Sequence, residues 1–254
     1  MTVLTEFAAA LAAGSIEVVD LTAPLEAQTP ILQLPPPFGQ TWPFALTEIS
    51  RYDERGPAWY WNNITTGEHT GTHFDAPIHW ITGRDGGADV AQVPAARLIA
   101  PAAVLDVAEL ATVDADFLVE VEHIQAWQDR HGALPAGGWL LIRTGWDARS
   151  SDPAAFANEG HTPGVSVACA RWLAEEAPVQ GVGVETVGTD AGLAHSFDPP
   201  FPCHSFLLGS GKFGLTQLRN LAALPPTGAV VIAGPLPIVG GSGSPCRVLA
   251  LIEA

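Results

Sequence analysis

The chain has 254 residues, with 11 basic against 27 acidic side chains and a formal charge of −16 at pH 7. Lys212 is its one lysine and the arginines are scattered, so no basic groove exists to condense on a phosphate backbone or an anionic bilayer, and neither nucleic acid nor a membrane is expected as a partner. With 47% hydrophobic and 15% charged residues, the composition is that of a folded protein with a sizeable core, not a disordered chain.

The opening TEFAAALAAGS is apolar but short and lacks a basic flank, which predicts a helix and not a signal peptide. No segment reaches the roughly 20 apolar residues that span a bilayer. Residues Ile16 to Leu21 read as a buried strand. Prolines at 24, 30, 35, 36, 37, 43 and 57 forbid a long helix over 22–58 and predict extended, irregular chain with a binding or partner role. Tyr60 to Thr66 has strand composition, and Leu98 to Val107, interrupted by Pro101, reads as a strand with a bulge. Residues 120–131 form a helix, Trp139 to Thr144 a strand, and Ser166 caps a helix over 167–176. Val182 to Glu185 supplies another strand, and AVVIAG and RVLALI near the end are adjacent strands. Without a linker or repeat, residues 1–254 make a single domain of mixed-sheet α/β architecture.

Two glycine-rich runs carry less. LLGSGKFG, with Gly209, Gly211 and Gly214, has neither the Walker spacing nor the dinucleotide fingerprint, and GGSGSP at 240–245 reads as a tight surface turn. Cys169, Cys203 and Cys246 lack ligand or disulfide spacing and fit a reducing cytoplasm. Cys203 beside His204 is not read as a thiol dyad, because neighbours on a strand point to opposite faces.

The informative segment is EHTGTHFDAPIHW, residues 68–80, which places His69, His73, Asp75 and His79 within a dozen positions. Two imidazoles and a carboxylate on one side of a divalent ion leave coordination positions open for water and substrate, as a catalytic site requires. Gly67, Gly71 and Pro77 argue against a regular helix, and no HExxH pattern is present. His69, His73 and Asp75 form the compact triplet; His79, beyond a proline, is the candidate proton-transfer group. Spacing alone admits Mn, Zn, Fe or Co.

HTGTHFDAPIH closely resembles the signature of the cyclase-type metal-dependent amide hydrolases, the family that includes the bacterial kynurenine formamidases and the isatin hydrolases. The resemblance runs through IEVVDLTAPL, GEHTGTHFDAPIHWITGRD, VGTDAG, PPFPCHSFLL, LPPTGAVVIAGPL and GSGSPCRVLAL, and leans toward the isatin-hydrolysing branch. It implies a swivelling β/β/α domain with a mixed central sheet and a homodimer, His69, His73 and Asp75 as metal ligands, and His79 as catalytic acid/base. The implied activity is opening of the lactam ring of isatin to isatinate by metal-activated water. The alternative is an arylformamidase acting on N-formylkynurenine, or a hydrolase of another cyclic amide or imide. In dinuclear formamidases a second metal is held by a histidine matching His204 and a glutamate where this chain has Thr216. A single divalent ion per subunit is therefore expected, with Mn2+ favoured by the resemblance and Zn2+ possible by chemistry.

Eight tryptophans are present, four of them between 42 and 80. Trp59, Trp61, Phe74 and Trp80 are candidates to line an apolar pocket for a flat aromatic lactam or amide, with core packing the competing role for Trp59 and Trp61. His204 is a candidate partner for a substrate carbonyl or product carboxylate, and His161 for a supporting place behind the site. Asp190 reads as a turn cap or ligand-orienting group, His195 as exposed, and His123 and His131 as surface residues of a helix. The irregular segment with Leu34, Pro35 and Phe38 is expected to reach a partner subunit.

Overall fold

A computed structural model of the chain describes residues 2–35, 38–80 and 87–254. Pro36, Pro37 and the 81–85 end of the signature segment lie outside the described residues. In chain order the elements are α1 (Val3–Ala13), β1 (Ile16–Asp20), β2 (Ala45–Asp53), β3 (Gly56–Thr65), β4 (His73–Asp75), β5 (Ile99–Asp106), α2 (Ala108–Val113), β6 (Leu118–Val119), α3 (Val121–His131), β7 (Trp139–Arg143), α4 (Pro153–Ala157), β8 (Gly164–Val165), α5 (Val167–Glu175), β9 (Gly181–Val184), β10 (Phe213–Thr216), β11 (Ala229–Pro235) and β12 (Gly243–Glu253).

The main sheet closes on itself. Its order is β1-β12-β11-β5-β7-β9-β10-β4, and β4 pairs in addition with β12, so seven strands form a barrel-like ring with β1 appended. The strands from β5 through β7 and β9 to β10 run parallel, whereas β11, β12 and β4 pair antiparallel, which makes the sheet mixed. Parallel strands buried on both faces read as continuous apolar runs. WLLIR of β7 shows why: Trp139 and Leu141 point into one core with Phe74, Phe213, Val231 and Val248, while Leu140 and Ile142 point into a second with Ile124 and Trp127 of α3 and Cys169 and Leu173 of α5. A closed sheet backed by helices on its outer face is the expected β/β/α arrangement.

The α5 helix begins where its sequence says, with Ser166 Oγ accepting from Cys169 N at 3.1 Å. The strands AVVIAG and RVLALI are neighbours, Val231 opposite Ala250. Four expectations need correction. The 22–58 segment is not irregular throughout, because the proline-free stretch 44–56 is long enough to pair, and β2 forms a hairpin with β3. The first strand is not buried: β1 is an appended edge strand in which Val19 alone is buried and Val18 is exposed. Pro101 makes no bulge; β5 keeps register with β11, and its pairing with β7 begins only at Ala102, so the missing N–H has no strand to serve. Residues 203–207 form a short helical turn and not a strand; Cys203 is set apart from chemistry by complete burial, which pushes its thiol pKa well up.

Candidate metal centre

The short strand β4 carries the signature into the barrel wall, wedged between β10 and the start of β12. Alternation along it puts His73 and Asp75 on one face and Phe74 on the other. Phe74 is fully buried against Phe213 and Trp139, with ring centroids 5.0 and 6.4 Å away. It is therefore a core residue and not a pocket residue, which corrects the expectation above.

Asp75 is the focus of the other face. Its Oδ1 lies 2.8 Å from His69 Nδ1 and 3.3 Å from His73 Nε2. Burial works to raise its pKa; positive charge on the facing imidazoles, that at His73 foremost, would outweigh burial and hold the carboxyl well below its ordinary value, so the carboxylate is at ease only with positive charge among these groups. Close approach is secured by two glycines. A Cβ on Gly214, opposite Asp75, would come within 2.7 Å of Asp75 Oδ2, and one on Gly243 within 2.6 Å of the His69 ring.

The outer nitrogens of both imidazoles are already committed. His73 Nδ1–H donates to the Gly71 carbonyl at 2.7 Å, an oxygen that can only accept, which leaves the lone pair on Nε2. Thr216 Oγ1 sits nearly equidistant from the two ring nitrogens, at 2.8 and 3.0 Å, and so lies off the in-plane axis of either lone pair. His69 Nε2 meets Ser242 Oγ at 2.8 Å, while that hydroxyl donates its own proton to Glu68 Oε2 at 2.6 Å. Ser242 Oγ therefore accepts from His69 Nε2–H, and the lone pair falls on Nδ1. Two imidazole lone pairs then face one carboxylate oxygen, an arrangement that is repulsive unless positive charge sits among them. The donor set fits a divalent cation, and with nitrogen and oxygen ligands from one face it is the type that leaves open positions.

His79 stands beside this set on a 3-10 turn, Pro77–Trp80. Its ring stacks on that of His69, centroids 3.8 Å apart and planes 26° apart. Ligand atoms of His69, Asp75 and His79 also lie within 4.8 Å of one another, so proximity alone offers His79 as a third donor in place of His73. The committed Nδ1 of His73 aims its other nitrogen at Asp75, whereas His79 presents a ring face to His69; orientation favours His73. Burial depresses the His79 pKa to about 3, leaving the ring neutral at pH 7.

A wall continues outward from His79. The His204 ring lies 5.5 Å from His79 and 5.1 Å from Trp80, and Trp80 is 5.3 Å from Phe201. Asp190 fixes His204 by accepting from Cys203 N at 2.7 Å, His204 N at 3.0 Å and His204 Nδ1 at 2.5 Å. Burial opposes protonation of His204, but the Asp190 hydrogen bond and charge overcome it and raise the pKa. The structure thus brings His69, His73, Asp75, His79, Trp80 and His204 together. Trp59 and Trp61 are not with them: both lie on the β2–β3 hairpin, 49% and 55% exposed. His161 is elsewhere too, half exposed and paired with Asp116 at 2.8 Å. Sequence reasoning missed Glu68, Ser242 and Phe201 and undervalued Asp190. Ser242 had a signal: the GGSGSP run is not a plain surface turn, because its small residues let β12 close on the signature strand.

The Cyclase family model matches residues 19–191, and the chain belongs to this family. Within that family the chain is similar to the isatin hydrolases. It is 46% identical to isatin hydrolase of Roseibium aggregatum over 98% of this chain and 97% of the relative. It superposes, with a TM-score of 0.96, 44% identity and full coverage of both chains, on an isatin hydrolase bound to the product analogue thioisatinate. Kynurenine formamidase of Salinibacter ruber is 32% identical over 71% of this chain and 74% of its own.

Proposed function

We propose that this protein opens the lactam ring of isatin to isatinate at the centre built on Asp75. The observation that carries the reading is the convergence of His69 Nδ1 and His73 Nε2 on one Asp75 oxygen, beside a neutral His79. His69, His73 and Asp75 would hold one divalent ion per subunit, Mn2+ favoured and Zn2+ also compatible with the donors. When bound, such an ion supplies Lewis acidity that polarises the amide carbonyl and eases deprotonation of the attacking water.

The protein's own groups do the rest. His79 takes a proton from water as its oxygen bonds to the lactam carbonyl carbon, and returns it to the ring nitrogen as the C–N bond breaks, leaving an arylamine and a carboxylic acid that ionises to the carboxylate by releasing the second water proton to solvent. Trp80, with Phe201 beside it, offers a flat face to the aromatic ring. His204, held by Asp190, donates from Nε2, which has no partner among the described residues, to a substrate carbonyl or the product carboxylate. An arylformamide or another cyclic amide presents the same carbonyl chemistry; the higher identity and full coverage of the isatin hydrolases support the lactam.

The exposed hairpin supports a homodimer. Leu46, Trp59, Trp61 and Ile64, with Trp42 and Phe38 in the preceding segment, are all exposed, more apolar surface than a monomer commonly leaves open. No helix among the described residues is long and apolar enough to cross a membrane; a cytoplasmic location is proposed from the three free, buried cysteines. The site is tested by metal content and turnover in three variants. His69→Ala and Asp75→Ala should lose the ion, whereas His79→Ala should retain it and lose about 10^2-fold or more in kcat. Full metal content in the first two would overturn the ligand assignment.

A further inference from the structure

Glu68 and Ser242 lie 174 positions apart and meet at His69. Ser242 Oγ donates to Glu68 Oε2 at 2.6 Å and accepts from His69 Nε2, and Ser242 N donates to the same carboxylate oxygen at 3.1 Å. The backbone around Ser242 is anchored to the signature strand. Its carbonyl accepts from Ala76 N at 2.9 Å, the Gly241 carbonyl accepts from Val90 N at 3.0 Å, and Gly243 pairs with Asp75. Both glycines flanking Ser242 are sterically required: a Cβ at Gly241 would lie 3.0 Å from Glu68 Oε1 and 2.8 Å from Ile238 Cβ, and one at Gly243 would strike His69.

We infer that Glu68 and Ser242 are positioning residues for the metal centre: they fix the proton of His69 on Nε2 and aim Nδ1 at the site shared with Asp75. This rests on the reading of His69 as a ligand. The chemistry is directional. A serine hydroxyl alone can donate to or accept from an imidazole, and so cannot select a tautomer. With its proton taken by Glu68, Ser242 can only accept, and the lone pair of His69 is forced to the side where Asp75 lies. Outer partners of this kind orient a ligand ring and raise its basicity, and losing one typically lowers metal affinity 10- to 100-fold. The C-terminal strand thereby contributes to a centre whose ligands all come from β4 and the turn before it.

The test is a Mn2+ titration followed by the electron paramagnetic resonance signal of the free ion, on the full chain stripped of metal, for the native protein, Ser242→Ala, Ser242→Thr, Glu68→Gln and His69→Ala. Ser242→Ala should bind Mn2+ 10- to 100-fold more weakly, with the melting temperature of the stripped protein unchanged. Ser242→Thr keeps the hydroxyl and should restore affinity to within threefold. Glu68→Gln can donate to Ser242 and so releases the hydroxyl proton toward His69; it should weaken binding as Ser242→Ala does. Native affinity in Ser242→Ala, alongside loss in His69→Ala, would overturn the positioning role while leaving the ligand reading intact. Native affinity in His69→Ala would overturn both. A drop in the stripped protein's melting temperature that accounts for the weakened binding, with no recovery in Ser242→Thr, would reduce the pair to a structural contact and refute the inference.

Discussion

Glu185, at the end of β9, offers a stability prediction whose size comes from the structure. The residue is buried, and its Oε2 accepts from Thr144 N at 2.6 Å, Gly145 N at 2.6 Å and Trp146 N at 3.2 Å, holding the loop after β7, while Oε1 has no hydrogen-bond partner among the described residues. Burial, helped by the charge of Asp147, pushes its pKa from 4.5 up to about 7 against the opposing hydrogen bonds from Thr144 and Gly145. Between these two values the folded protein holds a proton that the unfolded chain has released. The unfolded state binds fewer protons, so this group's contribution to stability is largest below pH 4.5, falls as pH rises, and levels off above about 7. At about 1.4 kcal/mol per tenfold change in the ionisation constant, the fall is ~3 kcal/mol. Glu185→Gln keeps the size and an accepting oxygen but removes the titration. Urea unfolding of both proteins from pH 4.5 to 8 should show the variant gaining ~3 kcal/mol relative to the native chain across that range. Parallel stability curves would refute a buried, protonated Glu185.

Three further outcomes follow from the same geometry. Phe74→Ala should lower unfolding free energy by about 3–5 kcal/mol while sparing KM for the lactam in the cold, because the ring fills core and not pocket; calorimetry and kinetics check this, and a selective rise in KM would return Phe74 to the pocket. Asp190→Asn should raise KM about tenfold, the equivalent of one lost hydrogen bond of ~1.5 kcal/mol, with kcat within threefold; a collapse of kcat alone would place His204 in proton transfer. Trp61→Glu on the hairpin should shift the protein from dimer to monomer in light scattering, and a native protein that is already monomeric would remove the proposed interface.

The sequence made the chemistry of the site more legible than its surroundings. His69, His73, Asp75 and His79 were visible because all four sit in one short segment, and the residue types alone imply their chemistry. Strands such as β7 and β11 were visible because burial on both faces forces continuous apolar runs. Phe74 was misread because a one-residue step along a strand reverses the direction of the side chain, and composition cannot show which side faces the core. Trp59 and Trp61 stand apart from the centre because nearness in sequence to the signature is not nearness in space: the β2–β3 hairpin leaves both exposed. Glu68 was in view beside His69, but its partner Ser242 arrives only when the last strand closes the sheet, and no local pattern records a contact of that separation. Asp190 was legible as a turn cap or ligand-orienting group, but its partner was not until the helical turn at 203–207 brought the His204 amide and ring onto its carboxylate.

The central claim is that the protein, loaded with a divalent ion, is a lactam-opening hydrolase. The direct measurement is kcat/KM for ring opening of isatin against deformylation of N-formylkynurenine by the same Mn2+-reconstituted preparation, with His79→Ala as the control. Isatin should be preferred by at least 10^2-fold, and the preferred turnover should vanish with His79. Faster deformylation of N-formylkynurenine, or isatin opening that survives in His79→Ala, would contradict the account.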